Sequence, residues 1–267
     1  MPPLDPPGVA REQDLPPDGV PAALKQADRV KLVPGRLRIS GDGIFYTLQG
    51  EGITQGMPAV FLRLHVCNLR CGWCDAWYTW SPRSIAFWTE STLCDPLELA
   101  QRVRNAVPES LRDRVNRLVV TGGEPLLQAE ALDLLLDALP GWTVEIETNG
   151  TRMPTPHQLA RCQFNCSPKL AHSRNSVAAR IAPDVLRALN AAHTQFKFVI
   201  RDEADVDELL RDFVPLIDRD KVVLMPEGVE AAMLQDTART IAGRALREGL
   251  RMMGRLHIDL WGAQRGR

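Results

Sequence analysis

Cys67, Cys71 and Cys74 form a C-x3-C-x2-C run directly after the apolar stretch Ala59–Val66. Three thiolates so closely spaced can hold three irons of a cubane cluster and leave the fourth open to a small molecule, to which it can pass an electron. Two other uses of the triplet compete. A structural zinc site usually draws four ligands from two separated pairs. The remaining cysteines, Cys94, Cys162 and Cys166, supply no second pair of that spacing, although zinc stays open on these residues alone. A disulfide framework belongs to small secreted domains, and the start of the chain, Met1–Pro7, has neither the basic nor the apolar region of a secretory signal.

Something must position those thiols. A chain of 267 residues can bury a sizeable core as one large or two small domains. With 32 basic against 33 acidic residues there is no broad positive field, which argues against nucleic acid as the main partner. No apolar run approaches the ~20 residues that span a bilayer, so a reducing cytoplasm is the expected location and no membrane the expectation. Residues 1–34 carry eight of the twenty prolines and few large apolar side chains, which predicts a disordered or loosely draped tail before a core domain over 35–267. Beyond it, short β-rich runs at Val60–Val66, Arg117–Thr121, Thr143–Glu147, Gln163–Cys166, Phe196–Ile200 and Lys221–Met225 alternate with helical patterns, among them Leu132, Leu135, Leu136 and Leu139, and later Glu230–Glu248. That alternation predicts a parallel sheet with right-handed crossovers, and six units suggest a partial (β/α)6 barrel.

Ligands in parallel α/β folds sit at the carboxyl ends of the strands, where this sequence puts its unusual polar motifs. The cysteine run follows the first expected strand, Thr121-Gly-Gly-Glu-Pro125 the second and Glu147-Thr-Asn-Gly150 the third; Ser167-Pro-Lys169 and Met225-Pro-Glu-Gly228 follow later ones. Glycines at such a strand end make a tight turn and also expose backbone groups to an ammonium or a carboxylate. Arg63 lies four residues before Cys67 and can offer two parallel N–H bonds to a carboxylate. Strand alternation puts it on a face with His65, opposite Leu62 and Leu64. Cys162 and Cys166 read as small buried side chains, Cys94 as inert, and Lys197 as a solvated charge outside the site.

Together with Phe45–Gly52, Ser167–Lys169 and the ending Arg255-Leu-His257…Leu260-Trp-Gly262, these motifs resemble the 7-carboxy-7-deazaguanine synthase family of the radical S-adenosylmethionine (SAM) superfamily, over roughly residues 36–267. The resemblance implies an enzyme, a carbon–nitrogen lyase that makes the deazaguanine core of queuosine and related compounds from 6-carboxy-5,6,7,8-tetrahydropterin. It implies a 4Fe–4S cluster on Cys67, Cys71 and Cys74, with SAM chelated to the open iron. Trp73 would pack on the adenine with Asp75 beside it, and Gly123, Glu124, Asn149, Ser167, Pro168 and Lys169 would complete the SAM site, with Met225, Pro226 and Glu227 as further contacts. Reductive cleavage of SAM would give a radical that takes hydrogen from C6 of the pterin; ring contraction, loss of ammonia and re-formation of SAM would follow. Leu48, Gln49, Gly50, Arg63 and Thr121 would meet the substrate, with the terminal Arg267 close by. A homodimer and an electron donor such as flavodoxin or ferredoxin are implied as well.

Two features depart from the family pattern. Its members usually carry Thr or Ser after the Cys-Asp pair, as a magnesium ligand, and this chain has Ala76, which puts magnesium in doubt. Four of the six tryptophans lie within Trp73–Trp88, in a segment that can be a cap, a donor-docking face or a packed loop. Two rival functions are an activating enzyme that places a radical on a partner protein and a non-catalytic zinc module.

Overall fold

Parallel strands such as Thr143–Thr148, Gln163–Cys166 and Thr194–Ile200 alternate apolar residues with polar ones, which sorts the two kinds onto opposite faces of a single sheet. The computed structural model describes residues 19–266. Nine strands run in the order β3-β1-β2-β4-β5-β6-β7-β8-β9: β1 (Leu37–Leu48), β2 (Pro58–Leu64), β3 (Ser91–Cys94), β4 (Arg117–Gly122), β5 (Thr143–Thr148), β6 (Gln163–Cys166), β7 (Thr194–Ile200), β8 (Val222–Pro226) and β9 (Arg251–Met252). From β2 through β9 every pairing is parallel, whereas β1 lies antiparallel between β2 and β3. The six strands expected from the sequence are β2 and β4–β8, the six of the partial barrel. β1 is not among them, and its Gly41-Asp-Gly43 has the composition of a turn. Both glycines instead take positive φ and make an irregularity within a continuous strand, where a Cβ on Gly43 would come within 3.2 Å of the Arg63 carbonyl.

On the outer face Leu62, Leu64, Leu118, Val120, Ile146, Phe164, Phe196 and Phe198 form the main core. Helices α1 (Ile85–Thr89), α2 (Pro96–Ala106), α3 (Ala129–Asp137), α4 (Pro156–Arg161), α5 (Val177–Arg180), α6 (Pro183–Ala191), α7 (Glu203–Asp212), α8 (Ala231–Glu248) and α9 (Leu256–Trp261) complete the chain order. Leu132, Leu135 and Leu136 of α3, with Leu139 just beyond it, are fully buried, as their spacing predicts. Helix starts are set locally: Asp95 caps α2 with Pro96 in its first turn, and Thr155 and Gln158 form a reciprocal capping box on α4.

The inner face is different. Ala59, Phe61 and Val119 form a small cluster, with Phe45 stacked on Phe61 at 5.2 Å. Beyond them it carries Arg63, Thr121, Glu145, Glu147, Asn165 and Lys197. Residues 1–18 of the expected tail lie outside the described residues. Within its second half Val20 is buried, and the carbonyls of Asp28, Arg29 and Lys31 accept hydrogen bonds from the buried guanidinium of Arg38. A buried charge that needs acceptors thus ties a proline-rich segment to the domain.

Candidate active site

The inner face opens into a cavity of about 890 Å³. Its wall includes Cys67, Cys71, Cys74, Trp73, Asp75, Gly123, Asn149, Ser167, Lys169, Met225, Pro226 and Glu227, together with Leu48, Gln49, Gly50, Arg63 and Thr121. Residues from five strand ends and two loops thus converge on one space. Pro168 is buried and Glu124 fully so, and neither is among the lining residues. Arg267 lies outside the described residues.

The cysteine loop is held by backbone and amide contacts. The Leu69 N–H is 3.4 Å from the Cys67 sulfur, the Asn175 amide 3.4 Å from Cys71 and the Asn149 amide 3.9 Å from Cys67. Burial, with Glu124 adding to it, pushes the Cys67 thiol up to about 12; burial, with Asp75 adding, does the same to Cys74, and Cys71 is also raised. These thiols become good ligands when a bound cation removes their protons. Among the described residues no three His, Cys, Asp or Glu side chains converge as ligands of one metal ion.

Gly122 and Gly123 serve closeness of chain. A Cβ on Gly122 would stand 2.1 Å from the Leu64 carbonyl, and one on Gly123 would stand 1.9 Å from that of Val66. The Gly123 and Glu124 N–H groups donate to those same carbonyls, so an ammonium would meet carbonyl oxygen here rather than N–H. Behind them the Glu124 carboxylate accepts from Leu126 N–H, Thr148 Oγ1 and Asn149 N–H at 2.7–3.0 Å, bracing the strand end that presents Asn149. Trp73 is flanked by the Lys169 ammonium 5.3 Å from its ring and by His172 at 5.5 Å. Lys169 also donates to Ser167 Oγ at 2.9 Å, and His172 is anchored by Asp205 at 3.0 Å.

Opposite the cysteines the cavity wall is charged. Lys197 pairs with Glu51, whose other oxygen accepts from Arg255 Nε at 2.8 Å, and Arg255 Nη2 reaches Asp75 at 2.6 Å. Burial alone would raise Glu51, but Lys197 and Arg255 beside it hold it well below the usual carboxylate range; burial opposes the Lys197 charge, yet Glu51 keeps its pKa raised. Glu145, fully buried on β5, accepts from Arg117, Thr54, Asn165 and Gln49, and Glu147 accepts from Thr121 Oγ1 at 2.7 Å. Gln49 lines the cavity with its amide already committed to Glu145 and to the Glu51 N–H. Among the described residues Arg63 has no carboxylate within salt-bridge distance; its guanidinium lies 5.8 Å from the Phe45 ring.

Several expectations change. Lys197 is a buried cavity residue in mid-strand, since Phe196 and Phe198 take the outer face and alternation turns the lysine inward. His65 does not share the cavity with Arg63. β2 ends at Leu64, and His65 stacks on Phe87 at 5.1 Å with Nε2 3.0 Å from the Phe87 carbonyl. The tryptophan-rich segment is a cavity wall: Trp77, Tyr78, Trp80 and Ile85 line it, and the Arg265 guanidinium lies 3.8 Å from the Tyr78 ring. Sequence reasoning missed Glu51, Glu147 and Asn175 as site residues. A lysine between two phenylalanines, and a glutamate inside Leu48-Gln-Gly-Glu-Gly52, were the available signals for the ion pair; Asn175, 104 positions from Cys71, gave none.

A cavity at the strand ends of a six-stranded parallel half-barrel, with three cysteines from one loop in its wall, defines the class. A family model described as the Radical SAM superfamily matches residues 62–199. Relatives called 7-carboxy-7-deazaguanine synthase include one from Pyrobaculum aerophilum, 38% identical over 84% of this chain and 95% of its own. Another, from Halobacterium salinarum, is 36% identical over 82% and 88%, and one from Rhodopirellula baltica 32% over 92% and 97%. The crystal structure of QueE from Escherichia coli superposes with a TM-score of 0.62 at 24% identity, covering 83% of this chain and 95% of that one, and shows the same fold. The chain belongs to the 7-carboxy-7-deazaguanine synthase family of radical SAM enzymes. Membership implies a 4Fe–4S cluster and SAM. Among the described residues no helix is long and apolar enough to cross a membrane.

Proposed function

We propose that the protein converts 6-carboxy-5,6,7,8-tetrahydropterin to 7-carboxy-7-deazaguanine with loss of ammonia. The observation that carries this reading is a single cavity that joins the three cysteines to an arginine fork with no carboxylate partner among the described residues. The donor set fits a 4Fe–4S cluster on Cys67, Cys71 and Cys74: three desolvated thiols, two of whose sulfurs face N–H donors, as cluster sulfurs commonly do. When bound, cluster and SAM supply the electron and the carbon radical that removes hydrogen from C6 of the pterin.

The chain's own residues bind and orient. Trp73 offers the adenine a flat apolar surface, with Asp75 near it. Gly123 offers a carbonyl to the SAM ammonium, Asn149, Ser167 and Lys169 offer polar groups, Glu124 and Pro168 shape the wall from behind, and Met225, Pro226 and Glu227 close the far side. Arg63 takes the pterin carboxylate in a two-point contact. Glu147, steadied by Thr121, accepts from the N–H edge of the ring, Leu48 and Gly50 border its plane, and Gln49 acts through the Glu51 loop. Arg267 at the chain end remains part of the proposed substrate side. The tryptophan-rich wall limits water, which matters for radical chemistry.

Magnesium fits poorly: the Ala76 side chain offers no ligand atom, and among the described residues both Glu51 oxygens and one of Asp75 are engaged by cations. At most a modest dependence on added magnesium is expected. In keeping with the family we take a homodimer in the cytoplasm, reduced by flavodoxin or ferredoxin, as the working state; the six free cysteines suit that reducing compartment. The test is anaerobic turnover of reconstituted protein with the pterin, SAM and a reductant. 7-Carboxy-7-deazaguanine formed without net loss of SAM supports the reading; 5′-deoxyadenosine accumulating without a deazapurine overturns the substrate.

A further inference from the structure

We infer that Arg255 is the resident cation of this active site, holding beside Asp75 the positive charge that a divalent metal ion would otherwise supply, so that catalysis needs no metal there. The inference deepens the pterin reading and rests on it.

Arg255 enters the cavity from the residue before α9, after the short edge strand β9. Its side chain is 12% exposed and each of its three nitrogens has a separate partner. Nε binds Glu51 Oε1 at 2.8 Å, Nη1 the Gly228 carbonyl at 2.8 Å and Nη2 Asp75 Oδ2 at 2.6 Å. The guanidinium therefore joins the residue next to Cys74, the loop after β1 and the loop after β8. Its position is itself secured: a Cβ on Gly50 would fall 2.0 Å from His257 Nδ1, and the Leu256 N–H donates to the Gly50 carbonyl at 2.9 Å, so the C-terminal segment and the Leu48–Gly52 loop are locked together.

Charge bookkeeping points the same way. Two carboxylates, Glu51 and Asp75, face two cations, Lys197 and Arg255, in an alternating chain that is already neutral. A dication placed there would be repelled by Arg255 and Lys197 at short range. It would find one open Asp75 oxygen and, at position 76, a methyl group. The missing hydroxyl and the arginine are thus two parts of one arrangement. Arg255 acts on the substrate through the carboxylates it holds, which makes it a positioning residue.

The test is Mn2+ titration followed by electron paramagnetic resonance, on reconstituted enzyme with SAM and the carboxytetrahydropterin bound and no reductant present. Wild-type enzyme is expected to hold no Mn2+ at this site, and its turnover to be the same in chelator and in millimolar magnesium. Arg255→Gln with Ala76→Thr is expected to bind Mn2+ at least about tenfold more tightly than wild type. One Mn2+ bound to wild type and lost in Asp75→Asn would overturn the inference, as would no gain of affinity in the double variant. If the double variant does not fold, turnover of the wild type that collapses in chelator overturns it equally. Metal binding is read without turnover, so an absence of deazapurine from every form, with and without metal, would instead mark failure of the pterin reading.

Discussion

The two faces of the same six parallel strands are built from opposite chemistry. On the outer face Leu62, Leu118, Ile146, Phe164 and Phe198 pack as hydrocarbon, and a deletion there leaves a cavity. On the inner face Arg63, Glu145, Glu147, Asn165 and Lys197 occupy the alternate positions of those strands, and nearly every charge has a specific partner. The outer face decides whether the barrel folds. The inner face decides what it can hold, and Arg63, a strand cation with no carboxylate within salt-bridge distance among the described residues, marks where an anionic group is expected.

The comparison breaks most completely at the cysteine end. Cys71→Ala removes a thiol of the triplet, so the brown colour near ~400 nm after anaerobic reconstitution and all turnover should vanish together, checked by iron content and product assay, while thermal melting of the apo-protein stays close to wild type. Next comes a pair, one residue from each face. Lys197→Met leaves buried Glu51 with Arg255 as its one remaining cation partner among the described residues and should destabilise by about 1.5–3 kcal/mol. Leu62→Ala should cost ~2–5 kcal/mol. Denaturant unfolding should therefore register both, whereas kcat/KM of the folded fraction should fall sharply for Lys197→Met and little for Leu62→Ala.

His65 sharpens the boundary between the faces. Its Nε2 hydrogen faces the Phe87 carbonyl, leaving Nδ1 buried with no partner, so burial depresses its pKa to about 4 from 6.5. Between those values the unfolded chain binds the extra proton, so stability is full above neutral pH and is lost as pH falls through the window. The loss at pH 5 should be about 2 kcal/mol, seen as a Tm difference between pH 8 and pH 5 that shrinks in His65→Gln. The smallest effect expected is on Arg63→Lys, which keeps the charge and loses the fork: KM for the pterin should rise about tenfold, or about 1.4 kcal/mol.

How much of this could be read from the chain depended on the kind of residue. Strands such as Val60–Val66 and Phe196–Ile200 announced themselves through β-branched and aromatic runs, and the cysteines through spacing alone. β1 hid behind Gly41-Asp-Gly43, whose turn-like composition serves a bulge. Lys197 and Glu51 hid because a buried ion pair and two solvated charges look identical in sequence; only the alternation around Phe196 and Phe198 tells them apart. Asn175 could not be read at all, since its role is set by a cysteine loop brought to it across the fold, and for Gly123 only its closeness to the Leu64–Val66 backbone lay beyond the sequence.

The central claim is that the inner face sets the pterin against SAM above the three cysteines. It is tested most directly with carboxytetrahydropterin carrying deuterium at C6, turned over anaerobically, with the recovered SAM weighed by mass spectrometry. The account predicts deuterium in the 5′ position of SAM that is not consumed overall, together with 7-carboxy-7-deazaguanine. Deazapurine formed alongside SAM that stays free of deuterium would contradict it.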